Sequence, residues 1–319
     1  MRWTNVLAAV GVLLGGLQPA PVGAQFLQCE VTNEPSQVLL SHEDVVNFLQ
    51  ALDVLESASD SASVLQRMYL AKASPGLSEY LRSHEFGAED FVEAIRDEGD
   101  KYRGLRDLPS QLASQEGATR SALASLRREI PDVEFVPVYF FVGIADVGLN
   151  AEPSEYGLLL AITETTSDFS VVKLAIVHET VHVQQALAIG IEEYMQVFGP
   201  KMSLLALAIR EGTAEFLTSL STGEYAKKRA YEYVLENEAA LWQRFERDML
   251  ERLPGEWMFA TPSDPEQPTD LGYIMGARIV EAFYDRAADK ARAVREILAV
   301  TDYEAFLGQS GYAEQFSQP

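Results

Sequence analysis

Two histidines four residues apart, with a glutamate beside the first, are the residues of this chain best suited to chemistry: His178-Glu179-Thr180-Val181-His182. On a helix of 3.6 residues per turn, positions i and i+4 share a face. Both imidazoles can then reach one metal ion while Glu179 projects beside its open coordination position. Such a set suits Zn2+, although two histidines and a carboxylate also serve iron or manganese. With 4 histidines in 319 residues, the pentad arises by accident in fewer than about one comparable sequence in 100. The plain alternative is that each histidine satisfies a core hydrogen bond. The surrounding stretch, VVKLAIVHETVHVQQALAI over 171–189, has no Gly or Pro and only Lys173 as a charge besides the motif. It predicts a buried helix, where imidazoles and a carboxylate cost several kcal/mol, on the order of those of other buried polar groups, unless paired or metal-bound.

Catalytic zinc usually takes three protein ligands and a water. Glu211 supplies the expected third donor, in the segment Arg210-Glu211-Gly212-Thr213-Ala214-Glu215-Phe216. Glu211 and Glu215 stand at i and i+4 on one helical face. An exposed acidic face is the alternative, but the flanking MSLLALAI and FLTSL leave little solvated surface.

An HExxH helix followed some tens of residues later by an EGxAE segment resembles the gluzincin metallopeptidases, and most closely the bacterial family of predicted Zn-dependent proteases. The similarity runs from about Phe135 to Tyr284 and includes the Gly272-Tyr273-Ile274-Met275-Gly276 segment. The resemblance implies a zincin-like fold and makes Glu211, immediately before Gly, the third zinc ligand. It makes Glu215 the acid that orients the first motif histidine. It also implies that a strand ahead of the zinc helix pairs with an extended substrate; Gly157 to Thr163, with Gly157, Leu158 and Leu159 as the contact residues, resembles that edge strand. An ordinary core strand is the alternative there.

The chemistry assigns further roles. Zinc lowers the pKa of its bound water, and Glu179 is placed to take the proton as general base and return it to the leaving amine. A carboxylate on the outer nitrogen of a ligating histidine fixes its tautomer, the role expected of Glu215. A tyrosine hydroxyl can assist at the developing oxyanion. Tyr273, at a helix start after the Pro-rich stretch 261–268, is the candidate, with simple aromatic packing as the alternative. The function expected is an exported zinc peptidase acting on a peptide or protein substrate. A non-catalytic metal-bearing binding or assembly protein, and a hydrolase of a non-peptide amide or ester, are the competing expectations. Glu179 separates the binder from the enzyme, since a binder has no use for the base.

Composition sets the bounds. The formal charge of −23 and the lack of a basic patch or a phosphate-cradling Gly loop argue against nucleic acid and nucleotides. Residues 1–24 read as a cleavable secretory signal: Arg2, an apolar run from Val6 to Leu17, and a small-residue end at Ala24. Export to the periplasm or beyond is expected, with no stable membrane span, because that run falls short of the roughly 20 residues a spanning helix needs. Cys29 is the sole cysteine, so no intrachain disulfide is expected. Phe26-Leu27-Gln28 makes a poor lipidation box, so no anchor is expected there.

The fold class expected is α+β and mostly helical: a small sheet and the HExxH helix, preceded by a helical N-terminal region. The boundaries are 25–130 for that region and 131–319 for the catalytic domain. Apolar spacing predicts helices from Val45 to Leu55, Val64 to Leu70, Phe91 to Tyr102 and Ser121 to Ile130. Strands are expected at Phe135 to Val142, with Pro137 marking an edge or an early bend, and at Tyr156 to Glu164, joined by a Gly/Asn/Pro-containing link. His42 and His84 read as solvent-exposed. The stretch from Met258 to Gly272 reads as a loop.

Overall fold

The computed structural model describes residues 26–55, 57–144, 148–164 and 169–316; the expected secretory signal lies outside them. Two compact units share the chain in an interleaved way. The first takes residues up to Ser121 together with Glu134–Thr180, and the second takes Ala122–Val133 together with Val181–Pro319. The units do not follow the expected division at 130/131: the strands group with the N-terminal helices, and two of the three crossings fall inside helices.

In the first unit, α1 (Glu43–Leu55), α2 (Ser61–Met68), α3 (Pro75–His84), α4 (Ala88–Asp97), α5 (Gly99–Arg103) and the greater part of α6 (Leu108–Glu129) accompany a four-stranded sheet. Local signals start these helices. Asp60 and Ser74 accept from the backbone N–H three residues on, and Pro75 occupies the first turn of α3, where no N–H is needed. The single helix expected over 91–102 is two, broken at Glu98.

The strands are β1 (Leu40–Ser41), β2 (Val138–Val142), β3 (Leu149–Ser154) and β4 (Gly157–Ile162), in the order β1-β2-β4-β3. β1, β2 and β4 run parallel, and β3 is antiparallel to β4. Pro137 marks a bend: β2 begins immediately after it and is an interior strand. The part of the expected link from Leu149 to Ser154 is itself a strand. Its polar sequence, LNAEPS, lacks alternation because it closes the sheet edge rather than a core face.

Every residue of β2 and β4 is buried, and aromatic rings cover this layer. Phe48, Tyr69, Phe91 and Tyr102 form a cluster with centroid separations of 5.2 to 5.9 Å. Three tyrosine hydroxyls then tie down the end of β2: Tyr69 donates to Val142 O (2.6 Å), Tyr102 to Gly143 O (3.2 Å) and Tyr80 to Ile144 O (2.8 Å). Burial pushes the Tyr80 and Tyr102 phenols up to about 12, so both are neutral donors at any ordinary pH. His84, expected in solvent, is instead partly buried beside the Tyr80 and Phe86 rings, at 4.4 and 5.5 Å.

α7 (Val171–Ile189) continues from the first unit into the second. The second unit adds α8 (Ile191–Met195), α9 (Leu204–Thr222), α10 (Lys228–Asp248, kinked at Asn237), α11 (Leu271–Arg286), α12 (Lys290–Leu298) and α13 (Tyr303–Ser310). Its centre is the α9–α11 pair. α9 starts at Ser203, whose hydroxyl accepts from Ala206 N, stops at Gly223 in the left-handed region (φ 77°), and is buried without interruption from Leu204 to Thr218. The pair meets through glycine. A Cβ at Gly276 would lie 1.7 Å from Ala208 O, and one at Gly212 would lie 2.2 Å from Ala277 N. Among the described residues, no helix is long and apolar enough to cross a membrane.

Candidate metal centre

α7 carries the HExxH residues as the spacing predicts, on one continuous helix with no Gly or Pro to interrupt it. His178, Glu179 and His182 are all buried, at 8%, 9% and 4% exposure. Thr180 spends its hydroxyl on Ile176 O one turn back (2.7 Å), which satisfies it locally.

Glu211 comes to His182. Its Oε2 lies 3.2 Å from His182 Nε2, and Glu211 is 8% exposed. One ligand atom each from His178, His182 and Glu211 lie within 4.8 Å of one another, so the three could hold a metal ion. Donors about 2.0–2.2 Å from a tetrahedral zinc stand on the order of 3.3 Å apart. The His182–Glu211 separation already has that size, and two imidazoles with one carboxylate are a donor set zinc accepts. The residues therefore fit the group.

The outer nitrogen of His182 is also engaged. Nδ1 lies 2.8 Å from Gln185 Oε1, and Gln185 Nε2 donates to Arg210 O at 3.0 Å. Arg210 is buried as well. Its guanidinium donates to Tyr194 O (3.1 Å) and to Tyr303 Oη (2.6 Å), and it lies 4.1 Å above the Tyr194 ring. α8, α9 and α13 are thus tied together directly behind His182. Sequence reasoning did not single out Gln185 or Arg210. For Gln185 a signal existed: an amide inside an apolar run, one turn after the second histidine of the motif.

Glu215 follows Glu211 by one turn and is 1% exposed, so the exposed acidic face is excluded for both carboxylates. Tyr273 sits in the first turn of α11. Its ring has the Lys227 ammonium 4.3 Å from its centroid on one side and the Phe259 ring edge-on at 6.0 Å. Lys227 in turn pairs with Asp270 (3.1 Å), whose other oxygen accepts from Phe259 N. Asp270 and Phe259 both have φ of 62°, the left-handed region that non-glycine residues seldom occupy. The expected loop is therefore closed at its neck by one side chain. Polar bonds hold its interior, including Arg244 to Gln267 (2.9 Å).

The expected substrate strand needs correction. Gly157, Leu158 and Leu159 lie in β4, which pairs with β2 on one side and β3 on the other. The residues of β4 are buried, and its backbone partners are taken. The core-strand alternative describes them. Gly157 has its own constraint, with φ of 137° and Pro137 O 2.3 Å from where a Cβ would stand. Among the described residues, the sheet edge next to β4 belongs to β3.

Comparison with protein families, curated proteins and solved structures gave no match.

Proposed function

We propose that this protein is a zinc-dependent peptidase, exported from the cell, in which His178, His182 and Glu211 hold the ion and Glu179 is the general base. One observation carries this proposal: three donors of the right chemistry, from residues 33 apart in sequence at the extremes (His178 to Glu211), converge within 4.8 Å. Zinc held there supplies a water of lowered pKa and a Lewis acid for the substrate carbonyl. With the ion bound, Glu179 would take up a proton as general base and release it to the departing amine as general acid. A carboxylate this buried, at 9% exposure, is shielded from bulk water, which strengthens its interaction with a reacting proton. Glu215 orients His178, supported by its burial one turn beyond Glu211. Tyr273 donates to the developing oxyanion, supported by a ring braced by Lys227 and Phe259. The α7–α9 helix pair is the active-site core of a zincin-like fold in this proposal.

Metal analysis of the purified protein, with and without Glu211→Ala, together with cleavage of a broad peptide library by wild type and Glu179→Gln, tests it. One zinc per chain, weakened by loss of Glu211, with cleavage abolished in Glu179→Gln while zinc remains, is the expected result. Absence of metal under non-chelating conditions refutes the proposal. Zinc without cleavage of any peptide favours the binding-protein alternative.

A further inference from the structure

We infer that Gln185 is a positioning residue that keeps a proton on Nδ1 of His182 and leaves Nε2 to face Glu211. This rests on the metal-site proposal above for its purpose, but its geometry is independent of any ion.

A side-chain amide has one accepting and one donating end, and its neighbours decide which end points where. The Arg210 carbonyl can only accept. The Gln185 amide nitrogen must therefore face it, at 3.0 Å, and this turns Oε1 toward His182 Nδ1 at 2.8 Å. A carbonyl oxygen cannot donate, so Nδ1 carries the hydrogen. Rotating the amide by half a turn would set Oε1 against the Arg210 carbonyl, two acceptors face to face in a site where Gln185 is 3% exposed. Arg210 cannot easily shift to relieve this. Its backbone is in the middle of α9, and its guanidinium is fixed by Tyr194 and Tyr303. The amide therefore has one orientation, and His182 has one proton arrangement at Nδ1.

The consequence lies at the other ring nitrogen. With Nδ1 protonated, the coordinating lone pair belongs to Nε2, the atom 3.2 Å from Glu211 Oε2. Outer partners of ligating histidines are usually carboxylates, carbonyls or water, and their loss typically lowers metal affinity about 10- to 100-fold. A neutral amide does the same orienting work without adding another negative charge behind the ligands.

Nitrogen-15 NMR of the histidine rings in the metal-free protein, for wild type and Gln185→Met, together with zinc affinity by chelator competition, tests the role. Wild type should show an exchange-protected proton on His182 Nδ1. Gln185→Met should lose that protection and bind zinc about 10- to 100-fold more weakly, with far-UV circular dichroism unchanged. If the Met variant does not fold, Gln185→Ala serves: it removes both ends of the amide without setting a new acceptor against the Arg210 carbonyl, and the protected Nδ1 proton should be lost. A wild-type His182 with a bare Nδ1 overturns the inference, as does a folded Met variant with the proton and zinc affinity unchanged. A wild-type protein that takes up no zinc refutes the proposed function alone, and the Nδ1 proton still decides the role of Gln185.

Discussion

Gly276→Ala adds a single methyl group at the point where α11 touches α9. That methyl carbon would stand 1.7 Å from Ala208 O and 2.3 Å from Ala208 C. Both are backbone atoms inside a buried helix, so no side chain can swing aside. Tolerable contacts begin near 3.0 Å, so the helices must separate by about 1.3 Å. A gap of even 0.5–1 Å forfeits roughly a quarter to a half of each dispersion contact across the interface. Overpacking of this kind costs about 1–3 kcal/mol, and a clash of backbone on backbone belongs at the upper end. Ala gains about 1 kcal/mol over Gly in helix propensity, which leaves a net loss of roughly 2 kcal/mol. For a unit of this size that lowers Tm by about 4–8 °C.

The site should register the same displacement, because Glu211 precedes the facing Gly212 on α9. A shift of about 1 Å spoils its placement against His182, and Gly276→Ala should bind zinc at least tenfold more weakly. Thermal unfolding followed by circular dichroism measures the first effect, and chelator competition the second. A variant as stable as wild type, or more stable through propensity alone, would refute the close-contact reasoning. Full zinc affinity in a destabilised variant would refute the link to Glu211.

Three further perturbations probe other parts of the molecule. Tyr303→Phe removes the 2.6 Å acceptor of the buried Arg210 guanidinium and should cost about 1.5–3 kcal/mol in urea unfolding; a loss below about 0.5 kcal/mol would show that this bond contributes nothing net. Burial raises the Glu152 carboxyl above its ordinary value, with Glu79 adding to the shift and His84 opposing it. The folded state therefore holds a proton that the unfolded state releases as pH climbs past the ordinary carboxylate range, and stability contributed by this group falls across that window. Glu152→Gln should remove that fall, so wild type minus variant should slope downward with pH from the ordinary carboxylate pKa upward; a flat difference would contradict it. Zinc at one hundred times its Kd should stabilise wild type by about 2.7 kcal/mol and leave His178→Ala/His182→Ala unmoved, as melting with and without zinc would show.

What the sequence reveals here depends on whether a signal is local. HExxH on a helix needs only the 3.6-residue period, and an apolar run without breakers announces it. Glu211 required one more idea, that a buried carboxylate wants a partner, and the structure brings it to 3.2 Å from His182. The errors came where pairing across the chain decides. Polar residues 149–154 form a strand only because β4 supplies matching backbone groups residue by residue. That same pairing turns β4 from an expected edge into an interior strand. A linear chain suggests contiguous domains, as in the expected boundary at 130, whereas the compact units here are interleaved and two helices each thread from one unit to the other. Glycine shows the difference most clearly. Gly212 and Gly276 stand out in the sequence as parts of Glu-Gly and Gly-x-x-x-Gly segments, but nothing local explains them. Their reason is that each one's missing side chain is occupied by the other helix's backbone. The residue beside Glu211 is therefore constrained by packing as strictly as Glu211 is by its place against His182, since a side chain at Gly212 would collide with the α11 backbone.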